Sequence, residues 1–135
     1  MRLLAALALV VAGPVLAEDQ IVAVELAEPT TRYDHAVLGD TVEWGALRLT
    51  MAEGTMRLIR LPQTRVFEDV TARLADLDGD GQPEVVVVET DMARGGMLAV
   101  FDADGRRAAT APFGQTHRWV APAGIGDLDG DGRST

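Results

Sequence analysis

The chain has 135 residues, 12 Lys+Arg against 21 Asp+Glu, a formal net charge of −9 and no cysteine. That length allows one small domain or about two to three short repeats, and the acid excess argues against a nucleic-acid partner, which needs a basic patch. Without cysteine or lysine, and with Ser134 as the single serine, the chain has no disulfide framework, thiolate site or Schiff-base lysine and no G-x-S-x-G nucleophile.

In chain order, Arg2 precedes an apolar run from Leu3 to Leu16, interrupted only by Gly13 and Pro14, and Val15-Leu16-Ala17 then supplies small residues. Charge, apolar core and small-residue end are the parts of a secretory signal peptide, here residues 1–17. A membrane anchor is the competing reading. The run falls short of the roughly 20 residues needed to cross a hydrocarbon core of roughly 30 Å. The mature chain, residues 18–135, is therefore expected to be exported to a periplasmic or extracellular space, with no transmembrane anchor. Lacking disulfides, it must be held together by packing, bound metal or partners.

Ile21 to Leu26 is apolar and β-branched, which predicts a strand. Leu47, Leu49 and Met51 alternate with Arg48 and Thr50, the mark of a strand with one wet face. Met56 to Leu61 reads as a second such run, joined to the first by a turn at Glu53-Gly54 and ended by Pro62. Glu84 to Glu89 encloses four consecutive valines, Val85 to Val88, suited to a strand buried on both faces. Gly95-Gly96 opens onto Met97 to Phe101, and Asp102-Ala103-Asp104-Gly105 predicts a hairpin turn leading to a strand near Arg107–Ala111. No stretch after the leader has a helical period, so the class is all-β.

A repeat is visible. Leu74-Ala75-Asp76-Leu77-Asp78-Gly79-Asp80-Gly81 returns, about 51 residues further on, as Ile125-Gly126-Asp127-Leu128-Asp129-Gly130-Asp131-Gly132. Each copy follows an aromatic-containing run, Val66-Phe67 and Arg118-Trp119-Val120, and Leu38-Gly39-Asp40 after Tyr33 reads as a shrunken relative. Between the acidic loops lie three predicted strands, with a fourth at His117–Ala121. Four strands per repeat make one propeller blade.

The acidic loop is the sharpest chemical signal. Asp76, Asp78 and Asp80 alternate, Gly81 permits a sharp turn, Gln82 offers its carbonyl and Glu84 closes the loop from the next strand. Ca²⁺ takes about six to eight oxygens, and alternate carboxylates in a tight loop supply them. An EF-hand needs a glutamate at the twelfth loop position, which here is Val87, inside a predicted strand. The bland alternative is turn chemistry, since Asp and Gly favour turns. Three carboxylates within five residues nevertheless repel one another without a cation or open water. The second loop repeats Asp127, Asp129 and Asp131, but Thr135 stands where Glu84 stood, and fewer charged ligands mean weaker binding.

The stretch DLDGDGQPEVVVVE and its relative GDLDGDGRST resemble the FG-GAP/VCBS-type repeats of integrin α-like β-propellers. In such repeats D-x-D-x-D-G-x-x-D/E lies between two strands of a blade and binds Ca²⁺. The resemblance implies ligand roles for Asp76, Asp78, Asp80, Gln82 and Glu84, and for Asp127, Asp129, Asp131 and Arg133 through its carbonyl, with Thr135 the departure. It covers about Val66 to Thr135. It implies an incomplete β-propeller-like array of antiparallel four-stranded blades with Ca²⁺-binding loops: a degenerate first unit near 20–62, a full repeat near 63–121 and the start of another near 122–135. Propellers have about four to eight blades, whereas this length holds just over two units. The remaining blades are expected in a longer chain or by association.

Other residues have plainer readings. Tyr33-Asp34-His35 is read as packing and surface rather than an acid–base cluster, and His117 as structural. Trp44 and Trp119 suit core or inter-blade packing better than a sugar platform, and Asp102 with Asp104 suits a turn. Arg106-Arg107 is too small a basic patch to imply a partner. Two functional classes follow: a Ca²⁺-stabilised exported module that recognises a protein or glycan without catalysis, or the propeller part of a carbohydrate-active enzyme whose catalytic residues lie elsewhere. With no nucleophile–base constellation and no zinc motif, the binding module is favoured.

Overall fold

The computed structural model describes residues 20–33, 42–112, 114 and 125–126. Signal residues 1–17, the shrunken loop at Leu38-Gly39-Asp40, His35, the strand expected at His117–Ala121, Trp119 and the second acidic loop lie outside them. The described residues contain strands and turns and no helix, as the absence of a 3.6-residue period requires. No helix among them is long and apolar enough to cross a membrane.

Eight strands follow in order: β1 (Ile21–Thr30), β2 (Glu43–Met51), β3 (Met56–Arg60), β4 (Arg65–Phe67), β5 (Arg73–Ala75), β6 (Glu84–Asp91), β7 (Gly95–Asp102) and β8 (Gly105–Ala109). All strand pairs are antiparallel, and the sheet does not close on itself. β1, β2 and β3 form one meander; β5, β6, β7 and β8 form a second, four strands wide. The join is β4, whose Phe67 pairs with Trp44 of β2 on one side and Glu89 of β6 on the other. An open, antiparallel, all-β arrangement with a four-stranded unit is what the sequence predicts. Among the described residues, the strand that brings that unit to four is β5, which precedes the acidic loop. It is only three residues long and carries no β-branched side chain, so local pattern did not mark it.

One expectation is corrected. β8 runs two residues earlier than Arg107–Ala111, because the turn closes on Ala103-Asp104 and Gly105 already pairs with Asp102. In β3, Met56 and Leu58 are exposed, while Arg57 and Ile59 are half-buried. β4 and the first half of β2 were also not legible as strands, since their places are set by long-range pairing.

The core joins both meanders. Ile21, Leu47, Leu49 and Met51 pack with Phe67, Val85, Val87, Ala99 and Phe101, with Trp44, Ile59 and Leu74 half-buried against them. Phe67 meets Phe101 edge-to-face at 5.5 Å between centroids, the geometry that ring quadrupoles favour. Val85 to Val88 are all buried, so β6 is covered on both faces as four consecutive valines predict.

The line from β4 to β5 breaks at Glu68–Ala72, and a side chain replaces the lost ladder. The Asp69 carboxylate accepts the Val88 N–H at 2.9 Å, the Val70 N–H at 2.8 Å and an Arg73 guanidinium N–H at 3.0 Å. A buried backbone donor left without a partner would cost about 1–3 kcal/mol. Asp69 thus lets the chain bulge while keeping β6 paired, and this bulge delivers β5 to the start of the acidic loop.

Candidate metal centre

The loop Asp76–Pro83 connects β5 to β6, the first two strands of the four-stranded meander. Aspartate side chains wind it. The two Asp76 carboxylate oxygens accept N–H groups of Gly79 at 3.0 Å, Asp80 at 3.2 Å and Gly81 at 2.8 Å. Asp78 accepts the Asp80 N–H at 3.2 Å, and Asp80 the Gln82 N–H at 2.8 Å. These are Asx-type turns in succession, which is why aspartate recurs at alternate positions. Gly79 and Gly81 sit at φ 79° and 84°, a left-handed backbone that glycine adopts without steric cost. Glu84, the first residue of β6, closes the loop by accepting the Leu77 N–H at 3.0 Å.

The result is convergence. Asp76, Asp78, Asp80 and Glu84 each present a carboxylate oxygen, all within 4.8 Å of one another. The Asp80 N–H holds the Asp78 carboxyl below its usual range. For Asp80 the Gln82 N–H pulls the same way, but burial and the negative charges of Asp78 and Asp76 outweigh it, and the carboxyl titrates high. Burial, foremost, raises Glu84, with the three aspartates adding to it. A cation removes this repulsion, and the donor set is all oxygen, as a hard divalent ion requires. The cluster fits a metal ion.

Of the residues singled out from sequence, Asp76, Asp78, Asp80 and Glu84 are brought together, and Gln82 lines the same cavity of about 390 Å³ beside Asp78, Asp80 and Glu84. Asp127, Asp129, Asp131, Arg133 and Thr135 lie outside the described residues. The cavity has a wall that no local pattern announced. Asp102, Asp104 and Arg107 of the β7–β8 hairpin border it, because β7 pairs with β6 from Asp91↔Gly95 to Val85↔Phe101, one residue short of Glu84 and Asp102. The turn reading of that hairpin holds: Asp102 accepts the N–H groups of Asp104 at 2.8 Å and Gly105 at 3.2 Å. Arg107 bonds the second Asp102 oxygen at 2.6 Å. Bonds from Asp104 and Arg107 hold the Asp102 carboxyl low against the raising effect of burial.

A second ionic group sits at the other end of β6. The Glu89 side chain is fully buried, with Arg65 at 3.3 Å and Arg106 at 3.5 Å. Burial outweighs both arginines and pushes its carboxyl above the usual range. Asp91 accepts N–H groups of Ala93 and Arg94 and lies 3.5 Å from the Arg94 guanidinium. The only sequence trace of this group is a glutamate closing a run of valines.

A family model described as FG-GAP-like repeat matches residues 52–134, more than half of the chain, spanning β3 to β8 and both acidic loops. No curated protein and no solved structure matches.

Proposed function

The chain belongs to the FG-GAP-like repeat family, and from that premise we propose that it is an exported recognition or scaffolding module whose β5–β6 loop binds Ca²⁺. The observation that carries this reading is the convergence of four carboxylates within 4.8 Å on a loop between two strands of a four-stranded unit. Asp76, Asp78, Asp80 and Glu84 would hold the ion, with the Gln82 carbonyl beside them. The bound ion neutralises the crowded carboxylates and ties the end of β5 to the start of β6. Because only the folded loop gathers these groups, mass action makes folding more favourable by about 2.7 kcal/mol when free metal is a hundredfold above its dissociation constant.

In this reading the strands form a rigid frame, and the module engages a protein or glycan without chemistry of its own. The second loop, Asp127, Asp129 and Asp131 with Arg133 and Thr135, is a weaker site of the same kind. Further blades are supplied in cis or by association, and residues 1–17 direct export to the periplasm or beyond the cell.

A calcium titration of the thermal melt tests the metal assignment. The transition rises with calcium, much less with magnesium, and falls back with chelator. Asp78→Ala removes most of that calcium-dependent rise, whereas Asp104→Ala, in the neighbouring turn, keeps it. A melt indifferent to calcium, or equal losses from the two variants, refutes the assignment.

A further inference from the structure

Four arginines from three elements line one cavity of about 420 Å³: Arg65 of β4, Arg94 of the β6–β7 turn, and Arg106 and Arg107 of β8. Met97 and Thr110 complete much of its wall. Such a gathering stands out in a chain of net charge −9. The arginines do not come from one basic run; β4, β6, β7 and β8 bring them together through pairing.

Their acidic partners leave donor capacity over. A guanidinium offers five N–H donors, and a charge-assisted bond to a carboxylate measures about 2.7–2.9 Å. Here Arg65 lies 3.3 Å from Glu89, Arg106 3.5 Å from Glu89 and Arg94 3.5 Å from Asp91. The Arg65 Nε is buried without a hydrogen-bond acceptor among the described residues, with an Asp91 carboxylate oxygen 3.8 Å away. Among the described residues, Arg107 alone of the four has a close carboxylate partner, Asp102 at 2.6 Å. Among the described residues, three guanidiniums thus share two carboxylates at long range, and burial raises the carboxyl of one of these, Glu89, above its usual range.

We propose that this arginine-lined cavity binds a small oxyanion, a carboxylate or sulfate group, either free or carried on a glycan. The planar guanidinium fork matches such groups bidentately, which an ammonium does not. The acidic loop takes no part. A purely structural ion network would stabilise the fold but would not distinguish sulfate from chloride.

The test is calorimetric titration of the protein with sodium sulfate, with sodium chloride at equal ionic strength, and with a glucuronate-bearing disaccharide beside its neutral counterpart. Saturable binding of sulfate or of the acidic disaccharide, without chloride binding, is expected. Sulfate alone assigns a free oxyanion; the disaccharide assigns one carried on a glycan. Arg94→Gln should weaken that binding about tenfold or more. Arg94 is largely exposed on a turn, so the variant should keep its fold; Arg106→Gln is the second probe. Arg48→Gln removes an equal charge from β2, where Arg48 pairs with Glu25 outside this cavity, and should leave binding unchanged. The proposal is overturned if neither probe binds saturably. It is also overturned if neither cavity variant weakens binding more than Arg48→Gln does.

Discussion

Asp69 is a carboxylate with no solvent exposure of its side chain that serves as part of a β-ladder. It takes the place of a strand residue opposite Val88 and holds Arg73 at 3.0 Å, while Arg73 itself is only 17% exposed. Removing one partner of a buried pair leaves an uncompensated charge, so Asp69→Ala should lower stability by about 3–5 kcal/mol in a urea titration. Glu89 makes a different prediction. Its carboxyl titrates above its ordinary value in the folded protein, burial outweighing Arg106 and Arg65, so the folded state holds the proton more tightly than the unfolded chain does. The stability linked to that proton is fully present below the unfolded value near 4.5 and is lost as pH rises through the folded value. Glu89→Gln should therefore flatten the decline in urea midpoint above about pH 4.5. An identical pH profile in the variant would assign the decline to other groups. Asp69 and Glu89 were invisible as structural residues in the sequence, because burial and partners, not residue type, give each its role.

Among the elements, turns carry the strictest backbone demands. Gly54, between β2 and β3, and Gly95, at the start of β7, have φ of 95° and 106°. A Cβ on Gly54 meets nothing within 4 Å, whereas one on Gly95 would lie 2.3 Å from the Gly114 carbonyl oxygen. Both alanine variants incur backbone strain of about 1–3 kcal/mol. Gly95→Ala must also push the Gly114 backbone away, breaking its bridge to Gly95 and its N–H bond to the Arg94 carbonyl. Thermal melts should show Gly95→Ala to be clearly the more damaging. Strands announced themselves unevenly. β6 and β7 are long and buried, so composition suffices. β4 and β5 are three residues each, held by Asp91, Thr90 and Glu89 on one stretch of β6 and by Val86, Val85 and Glu84 on another. Their strand character is conferred by β6. The phase of β3 follows from its register on β2, where Ile59 faces Leu47 and leaves Leu58 opposite Arg48.

At the scale of the molecule the two meanders share one core, and Phe67 stands where they meet. It is fully buried, packs on Phe101 from β7 and lies on the one strand among the described residues that pairs with both β2 and β6. Phe67→Ala should cost about 3–5 kcal/mol, and both meanders should melt together in one earlier transition rather than separately. Two transitions, seen for instance by Trp44 fluorescence against far-ultraviolet dichroism, would show the units to be independent. The sequence by itself determined the all-β class, the family resemblance, the buried valine strand and the acidic loop. Those features depend on near neighbours: period-two alternation, β-branched runs, and aspartates bonding backbone N–H groups a few residues away. Tertiary structure alone decided that β5 begins the four-stranded unit, that the Asp102–Asp104 hairpin walls the acidic site, and that Arg65, Arg94 and Arg106 surround Glu89 and Asp91. These juxtapositions come from strand pairing across tens of residues, a register that no local pattern encodes because it is chosen by how the whole core packs.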